Sequence, residues 1–368
     1  MDYVVSARKY RPATFASVVG QASVTQTLKN AVREQRIAHS YLFCGPRGVG
    51  KTTCSRIFAK TVNCSNLTAD FEPCNECESC KAFNENRSLN IHELDAASNN
   101  SVDDIREVTD SVQFPPQVGR YSVYIIDEVH MLSQQAFNAF LMTLEEPPSY
   151  AIFILATTEK HKILPTIISR CQVFDFKRIT VPDVADHLKY VAKSEGITAE
   201  DDALEVIAQK ADGAMRDALS IFDQIVAFSG SEVTYRKVVE NLNILDYDVF
   251  FEAVDNINNH DYIKSLLQFD DVLRRGFDAL NFLSGLSHHL RNLLVAQSPE
   301  AVRLLDVGEK TAGRYTQQAG AMTSARILQL IEALSDSEAG YRLARDKRQH
   351  VEFALLKACM LGDEKKKS

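Results

Sequence analysis

Residues 45–52, GPRGVGKT, constrain the fold more than any other stretch of this 368-residue chain. They fit the phosphate-binding pattern GxxxxGK[ST], they follow the apolar run SYLFC (40–44), and a helix-forming run follows them. Glycine at these positions lets backbone N–H groups surround a phosphate without side-chain clashes. We therefore expect a strand, a phosphate loop and a helix in that order, with a bound nucleoside triphosphate.

Each residue of this loop has an expected role. Lys51 would reach the β and γ phosphates, and the hydroxyl of Thr52 would be a ligand of Mg²⁺. The remaining predicted nucleotide contacts are Gly45, Pro46, Arg47, Gly48, Val49, Gly50 and Thr53.

A second apolar strand, YSVYIIDEVH (121–130), ends in two carboxylates. Asp127 lies where an acid holds Mg²⁺ through its water shell, and Glu128 is placed to polarise an attacking water. An Asp-Glu pair after a strand is common by itself. Together with a phosphate loop, the pair predicts hydrolysis of the nucleotide and not only binding.

Two further polar segments are candidates for contact with the γ-phosphate. Thr157 and Thr158 end the strand ILATTE (154–159), and a hydroxyl there could lie between Glu128 and the γ-phosphate. Threonines are also ordinary strand formers. Arg216, in GAMRDAL (213–219), would touch the γ-phosphate if its helix folds over the nucleotide; otherwise it is a solvated helix arginine.

Four of the eight cysteines form the pattern Cx₉CxxCxxC. Four thiolates suit tetrahedral Zn²⁺, and a site whose four ligands all come from protein is structural. An iron–sulfur cluster and free thiols are the alternatives, but nothing else in the chain indicates redox chemistry. The expected zinc ligands are Cys64, Cys74, Cys77 and Cys80.

The order of the elements predicts an α/β domain followed by all-α regions. Five β-rich runs are apolar enough to be buried on both faces, as the strands of a parallel sheet are. After Pro182 the strand signal fades, and from about residue 243 one amphipathic helix follows another. The predicted strands are 40–45, 90–96, 121–128, 151–158 and 171–179.

We place three domains on this pattern. Residues 1–180 would form the nucleotide-binding domain, with the cysteine insertion at 64–80, and residues 181–242 and 243–368 would form two helical domains. Within the first helical domain, Thr198 is the expected N-cap of a helix that ends near Gly213.

Charge and hydropathy limit the class of protein. The net charge of −8 argues against a dedicated DNA-binding protein, although a local DNA contact remains open. No apolar run reaches the ~18 residues of a membrane helix, and the first residues carry charge without an apolar signal core. We expect a cytoplasmic protein that does not bind membranes.

The motifs together resemble one family. GPRGVGKT, DEVH, LATTE, SRC and GAMRDAL occur in the order and spacing of an AAA+ ATPase of the clamp-loader group. The chain closely resembles the bacterial DNA polymerase III gamma/tau subunits over essentially its whole length. Further similar segments are 8–21, 130–148 and 346–360, and the four-cysteine insertion is a feature of this family.

The resemblance implies a RecA-like P-loop ATPase domain, a small helical lid and a carboxyl-terminal helical collar. It also implies a pentamer, an open spiral of further gamma/tau copies with delta and delta-prime type subunits. This assembly would bind ATP, open the ring-shaped sliding clamp and release it on primed DNA upon hydrolysis. Tau forms carry additional carboxyl-terminal domains, so we expect this chain to be the clamp-loading core.

Several residue roles come from the resemblance alone. Arg11, Val18 and Val19 would lie near the adenine, Thr158 would sense the γ-phosphate, and Arg216 would be a second sensor of the chain's own nucleotide. Arg170, in SRC, would point into the neighbouring subunit's site as an arginine finger supplied in trans. The alternative is that Arg170 holds a carboxylate near its own strand.

The segment ASNNSVDDIREV (97–108) resembles the place where a helix begins facing the interior of the spiral. Backbone N–H groups and the helix dipole at such a site can hold a DNA phosphate without base-specific information. The alternative is that Asn99, Asn100 and Ser101 only cap the helix.

Two other functions compete with a hydrolysing clamp loader. A non-hydrolysing structural subunit would be free to lose the phosphate loop and the Asp127-Glu128 pair, and both are intact. An AAA+ DNA helicase would separate strands without a clamp, and no added DNA-tracking domain supports it.

Overall fold

The computed structural model describes residues 4–116, 119–242, 245–305 and 307–361. Contacts between residues divide the chain into two compact units, 1–198 with 207–227, and 199–206 with 228–368. The three-domain division at 180 and 242 stays a prediction, and its second boundary adjoins residues 243–244, outside the described ranges. Within these ranges no helix has the length and apolar character needed to cross a bilayer.

A five-stranded parallel sheet forms the centre of the first unit. The strand order is β2-β3-β4-β1-β5, so β1, which leads into the phosphate loop, lies between β4 and β5. Every predicted strand overlaps one of the five. Their bounds are β1 (Ser40–Cys44), β2 (Ile91–Asp95), β3 (Ser122–Asp127), β4 (Ala151–Thr157) and β5 (Gln172–Asp175).

Helices cover both faces of this sheet. Alternate residues of one strand enter different cores: Tyr41 and Phe43 face one side, and Leu42 and Cys44 face the other. Burial on both faces explains why β1, β3 and β4 are nearly continuous apolar runs. The expectation of burial on both faces is wrong for β2 and β5, which lie at the edges of the sheet and have exposed polar residues. From residue 6 to residue 229 the helices are α1 (Ser6–Lys9), α2 (Ala22–Arg33), α3 (Lys51–Val62), α4 (Glu78–Asn84), α5 (Val102–Val112), α6 (Gln134–Glu145), α7 (Pro165–Ile168), α8 (Val181–Glu195), α9 (Asp201–Lys210) and α10 (Met215–Ser229). Of these, α2 and α3 contribute residues to the core on one face of the sheet, and α5 and α6 contribute to the core on the other face.

The helix predicted to begin after Thr198 begins later, so that cap assignment is wrong. Thr198 belongs to a two-residue strand, β6 (Thr198–Ala199), which pairs with β7 (Glu232–Val233). The N–H of Glu200 donates to the carbonyl of Val233 at 3.0 Å, and α9 starts at Asp201. A backbone hydrogen bond distant in sequence therefore overrides the local capping signal.

The second unit is built from helices. A large core cluster in this unit includes Phe250, Phe269, Leu286, Leu330 and Leu355, and α14 packs against α12, α15, α16 and α17. Capping side chains at Asp246, Asp261, Asp278, Thr323 and Asp346 begin five of the helices. The helices are α11 (Tyr235–Asn241), α12 (Tyr247–Asn258), α13 (Tyr262–Arg274), α14 (Ala279–Ala296), α15 (Glu309–Ala319), α16 (Ser324–Gly340) and α17 (Lys347–Met360).

Candidate nucleotide site and cysteine centre

The predicted phosphate loop lies between the end of β1 at Cys44 and the first residue of α3, Lys51. Gly48 has a φ of +77°, and a Cβ added there would lie 2.8 Å from the Cβ of Ala214. The loop therefore needs glycine at this position for its backbone angle and for its close approach to residue 214.

Lys51 is buried, with 6% of its surface exposed. Its ammonium donates to the carbonyl oxygens of Gly45 and Pro46, at 2.8 and 2.7 Å. Burial lowers the pKa of Lys51, and the carboxylates of Glu128 and Asp127 act in the opposite direction. The loop thus curls around a positive charge at its centre, as a phosphate site requires.

The two predicted magnesium ligands lie together. The hydroxyl of Thr52, in the first turn of α3, donates to Oδ2 of Asp127 at 2.6 Å. The other carboxylate oxygen of Asp127, at the end of β3, accepts the N–H of Glu128 at 3.0 Å. Hydroxyl and carboxylate oxygens are ligands that Mg²⁺ accepts, so the residues present fit this ion.

Glu128 adopts a left-handed backbone conformation, with φ +48° and ψ +43°. Such a conformation costs about 1 kcal/mol or more for a residue other than glycine. It places the side chain against the end of the neighbouring strand β4, where Oε2 accepts the hydroxyl and the N–H of Thr158, at 3.0 and 3.3 Å. The expected pair of Glu128 and Thr158 is therefore in contact.

The two threonines at the end of β4 have different surroundings. Thr157 is fully buried, and its Oγ1 lies 3.1 Å from Nδ1 of His130 and accepts the N–H of Glu159 at 3.0 Å. His130 also lies between Glu128 and Glu159, 3.5 and 3.3 Å from their carboxylate oxygens. The sequence analysis missed His130, although its position two residues after Glu128 was a signal.

A cavity of about 520 Å³ opens beside the phosphate loop. Its volume suits a ligand of nucleotide size. Of the predicted site residues, Gly45, Pro46, Thr158 and Arg170 do not line it. Those that do are Arg11, Val18, Val19, Arg47, Gly48, Val49, Gly50, Lys51, Thr52, Thr53, Asp127, Glu128 and Arg216.

Positive charge dominates one part of the cavity wall. Nε of Arg11 donates to the hydroxyl of Thr53 at 3.4 Å. Burial lowers the pKa of Arg11, and the nearby guanidinium groups of Arg56 and Arg216 lower it further, while the carboxylates of Glu93 and Asp127 act in the opposite direction. Converging cations of this kind favour an anionic ligand.

The sequence analysis missed the apolar part of the wall. Ile179, Met215 and Leu219 line the cavity, as does His187, whose pKa is lowered by burial. The available signal was helical spacing, since Met215 and Leu219 lie one residue before and three residues after Arg216. The other lining residues that were not predicted are Val5, Ala7, Arg8, Tyr10 and Pro12.

Arg170 lies away from this cavity. Its guanidinium donates to the carbonyl of Thr166 and to Oε1 of Glu145, both at 2.7 Å. The side chains of Arg170 and Glu145 are 35% and 52% exposed, and ion pairs this accessible are worth about 0–1 kcal/mol. Within one chain, Arg170 therefore holds a carboxylate weakly at the surface.

The four clustered cysteines converge. Their sulfur atoms all lie within 4.8 Å of one another, with Cys64 3.5 Å from Cys74 and 4.0 Å from Cys77. A tetrahedral zinc site with Zn–S bonds of about 2.3 Å requires sulfur separations of about 3.8 Å. The cysteines form no disulfide. The donor set and its spacing fit zinc.

Hydrogen bonds favour the thiolate form at one of these cysteines. Burial acts to raise the pKa of the Cys77 thiol, but hydrogen bonds from the backbone of Cys80 and Ser65 outweigh it, and the pKa falls to about 6. Thiolates are the form that binds metal.

The segment predicted to contact DNA begins a helix with a capping box. The hydroxyl of Ser101 accepts the N–H of Asp104 at 3.1 Å, and the Asp104 carboxylate accepts the N–H of Ser101 at 3.1 Å. Asp103 and Asp104 place negative charge in the first turn of α5. These contacts are those of the capping alternative, and DNA binding here stays a prediction.

Comparison with known proteins gives matches along nearly the whole chain. Residues 20–180 match a family described as DNA polymerase III, delta subunit. Residues 183–231 match the DNA polymerase III clamp loader subunit, ATPase lid domain, and residues 233–368 match DNA polymerase III subunits gamma and tau domain III.

Curated relatives carry related names. The chain is 39% identical to DNA polymerase III subunit tau of Bacillus subtilis, over 99% of this chain and 64% of that protein. It is 38% identical to DNA polymerase III subunit tau of Escherichia coli, over 97% of this chain and 55% of that protein. It is 48% identical to the tau/gamma subunit of Haemophilus influenzae, over 67% of this chain and 36% of that protein. The chain thus spans less than two thirds of the length of these relatives.

Solved structures that align with parts of this chain include two bacterial proteins. The Thermotoga maritima RuvB Holliday junction branch migration motor aligns with a TM-score of 0.48 and 20% identity, covering 67% of this chain and 79% of that one. The Bacillus subtilis DNA clamp loader delta protein aligns with a TM-score of 0.40 and 15% identity, covering 91% of this chain and 99% of that one.

Proposed function

Because the chain belongs to the gamma/tau family of DNA polymerase III subunits, as its motifs predicted, we propose that it is an ATP-hydrolysing clamp-loader subunit. It would take part in placing the ring-shaped sliding clamp on primed DNA. Its AAA+ fold, a parallel sheet with a phosphate loop followed by helical regions, is the one expected from the sequence.

One arrangement carries the proposal. The carboxyl ends of the neighbouring strands β1, β3 and β4 bring Lys51, the Thr52–Asp127 pair and the Glu128–Thr158 pair to the same edge of the sheet. A cavity large enough for a nucleotide lies beside them. In parallel sheets, ligands bind at this edge.

Each group has a defined task in hydrolysis. The backbone of residues 45–50 surrounds the phosphates, Lys51 contacts the β and γ phosphates, and Thr52 and Asp127 hold Mg²⁺. A bound Mg²⁺ supplies positive charge to the phosphate oxygens. Glu128 orients and polarises the attacking water, and Thr158 holds the Glu128 carboxylate through Oε2.

The remaining site residues bind the base or sense the phosphate. Arg11, Val18 and Val19 contact the adenine side of ATP, and the apolar wall formed by Met215 and Leu219 extends that contact. Arg216, on the same helix, contacts the chain's own γ-phosphate.

Arg170 would act in a neighbouring subunit. It lies outside the chain's own cavity, and a surface ion pair with Glu145 and a hydrogen bond to the carbonyl of Thr166 hold it. We assign it to the site of an adjacent copy or of a delta or delta-prime type subunit within a pentamer. There the guanidinium would stabilise charge on the transferred phosphoryl group.

The other assignments follow the same family. Residues 1–180 form the ATPase domain, 181–242 the lid and 243–368 the collar through which subunits assemble, and the four cysteines hold a structural zinc ion. Primer-template DNA is bound through phosphate contacts, and the protein acts in the cytoplasm.

The test uses the chain assembled with its partner subunits, sliding clamp and primed circular DNA. Lys51→Ala should abolish ATP binding, because it removes the charge at the centre of the loop. Glu128→Gln should keep binding but lower turnover by about 10²-fold or more, the range for loss of a general base.

Three results would contradict the proposal. Unchanged turnover by Glu128→Gln would remove the catalytic assignment. Clamp loading that survives both substitutions would indicate a non-hydrolysing structural subunit. Strand separation in the absence of the clamp would indicate a helicase.

A further inference from the structure

A buried carboxylate connects the cysteine centre to the nucleotide site. Glu72 lies in the segment between Cys64 and Cys74, two residues before the latter. Only 6% of its surface is exposed. Its two carboxylate oxygens accept the backbone N–H groups of Phe15 and Ala16, at 2.7 and 2.9 Å.

An ion pair completes the surroundings of this carboxylate. Nζ of Lys29, on α2, lies 2.6 Å from Oε1 of Glu72, and the two side chains are 20% and 8% exposed. A buried charge is unfavourable unless it is paired and hydrogen-bonded. Glu72 meets both conditions, so these partners stabilise its present position.

The residues that Glu72 holds lead directly to the cavity. Phe15 begins a short 3₁₀ helix, Phe15–Ser17, and is itself buried in the core of the sheet. Val18 and Val19 follow and line the cavity. The carboxylate therefore fixes one end of the segment that carries two of the predicted adenine contacts.

The other end of this segment is fixed by Gln21. Its side-chain amide donates to the carbonyl of Lys177 at 2.7 Å and to that of Val49, in the phosphate loop, at 3.4 Å. Val18 and Val19 lie between two anchors, and of these only Glu72 belongs to the cysteine segment.

The position of Glu72 depends in turn on the cysteines. Within the segment, Glu72 exchanges hydrogen bonds with Thr68: its N–H donates to Oγ1 at 3.1 Å, and its carbonyl accepts the Thr68 N–H at 3.0 Å. Pro73, which has a restricted φ, is the only residue between Glu72 and Cys74. Because only this one restricted residue separates them, a displacement of Cys74 also displaces Glu72.

We propose that Glu72 is a positioning residue through which metal at the four-cysteine centre raises the affinity of the chain for ATP. The inference rests on the proposed function of the cavity as a nucleotide site. The metal is a divalent ion that prefers four thiolates in a tetrahedron, for which zinc is the probe.

The coupling has a simple physical basis. Metal bound to Cys64 and Cys74 closes the loop between them and restricts its conformations. Without the metal, the loop gains freedom, and Glu72 no longer holds the N–H groups of Phe15 and Ala16 in one place. Nucleotide binding must then order Val18 and Val19 itself, which weakens the affinity.

The experiment measures binding of a fluorescent ATP analogue to the full chain in excess Mg²⁺. Zinc-bound wild type is compared with protein stripped of zinc, and both with Glu72→Gln. We expect zinc removal and Glu72→Gln each to weaken binding about tenfold, the effect of losing one charge-assisted hydrogen-bonding group. Zinc removal from Glu72→Gln should add little, because the two changes break the same connection.

Glu76→Gln is the matched control, since Glu76 lies in the same four-cysteine insertion, two residues after Cys74, but its side chain is exposed. It should bind the analogue as wild type does in both metal states. Hydrogen exchange of residues 14–19 gives a second readout: it should increase on zinc removal and in Glu72→Gln, and not in Glu76→Gln.

The outcomes separate this inference from the proposed function. Equal affinity of zinc-bound and zinc-free wild type, or of Glu72→Gln and wild type, would overturn the coupling and leave the nucleotide site intact. If zinc-bound wild type binds the ATP analogue no better than Lys51→Ala does, both the coupling and the proposed nucleotide site are overturned. Additive losses from zinc removal and Glu72→Gln would also overturn it, because the two would then act separately.

Discussion

At the scale of single residues, Gly48 shows how one position serves the loop and its surroundings. Its φ of +77° is a conformation that side-chain-bearing residues rarely adopt, and an added Cβ would meet the Cβ of Ala214 at 2.8 Å. Gly196, at the end of α8, has a similar φ of +69° with nothing within 4 Å of an added Cβ. Substitution of Gly196 therefore tests backbone strain alone, whereas substitution of Gly48 tests backbone strain together with steric overlap.

We expect Gly196→Ala to lower the free energy of unfolding by about 1 kcal/mol, the cost of the left-handed conformation alone. Gly48→Ala should lower it by about 3 kcal/mol, because overlap with Ala214 adds to the strain, and it should also weaken ATP binding. Denaturant unfolding and analogue binding measure the two effects.

A third variant tests the assigned cause. Adding Ala214→Gly to Gly48→Ala removes the overlapping methyl group and should recover part of the lost stability. If Gly48→Ala and Gly196→Ala lower the free energy of unfolding equally, the contact with residue 214 does not contribute to the loss of stability.

At the scale of elements, a chain of polar groups connects α12, α14 and α15 in the second unit, and His289 and Tyr315 within it are buried. The Gln318 amide nitrogen donates to the carbonyl of Phe251 and to the carboxylate of Asp255, which leaves its oxygen to accept from Nε2 of His289 at 2.9 Å. The Tyr315 hydroxyl lies 3.0 Å from Nδ1 of His289 and donates to it. The order of donors assigns a neutral His289 protonated at Nε2.

This arrangement predicts a loss of stability in mild acid. Burial lowers the pKa of His289 to about 4, the hydrogen bond with Gln318 partly opposes this, and the charges of His288 and Arg314 add to the decrease. The unfolded chain, with a histidine pKa of about 6.5, binds the proton first. The free energy of unfolding should therefore fall by up to about 3 kcal/mol as the pH drops from about 6.5 to about 4.

Urea unfolding of the second unit as a function of pH measures this loss. His289→Gln should flatten the dependence in that window, while His161→Gln, at an exposed position, should leave it unchanged. An equal slope in His289→Gln and wild type would assign the acid sensitivity to other groups.

At the scale of the whole molecule, the nucleotide site and Arg170 are separate features of the same chain. The cavity is lined by residues 47–53 of the predicted phosphate loop and its helix, by Asp127 and by the candidate base Glu128, whereas Arg170 pairs with Glu145 at the surface. A group so weakly held can leave its partner when another subunit binds, so we expect the complete site only in an assembly.

Arg170→Ala should leave ATP affinity unchanged and lower the turnover of the assembled complex by about 10²-fold or more, toward the range known for arginine fingers. ATP turnover is measured with partner subunits, clamp and primed DNA present. Glu145→Gln breaks the same ion pair but keeps the guanidinium, and it should have near-normal turnover. If both variants lose turnover equally, Arg170 acts only within its own chain.

Local patterns were enough for much of the first unit. Strands β1, β3 and β4 were predictable because each is apolar along most of its length, and the loop at 45–52 because its glycines have a backbone role. The edge strands β2 and β5 carry exposed polar residues, and for them only the position was predictable. Helical spacing places Met215 and Leu219 beside Arg216, but local patterns do not show that they or Ile179 reach the cavity, since all three lie more than a hundred residues from the phosphate loop along the chain. The prediction that Thr198 caps a helix was wrong for the same reason, because the strand that Thr198 begins pairs with β7, which is distant along the chain.

The amino-acid sequence by itself determined the phosphate loop, the parallel sheet, the four-thiolate set and the family of this chain, because these depend on residue types at short, regular spacings. Only the tertiary structure decided which threonine contacts Glu128, which carboxylate Arg170 holds, and that Glu72 connects the cysteine centre to the segment before Val18. Those contacts depend on which elements become neighbours in space, and a spacing along the chain does not specify that.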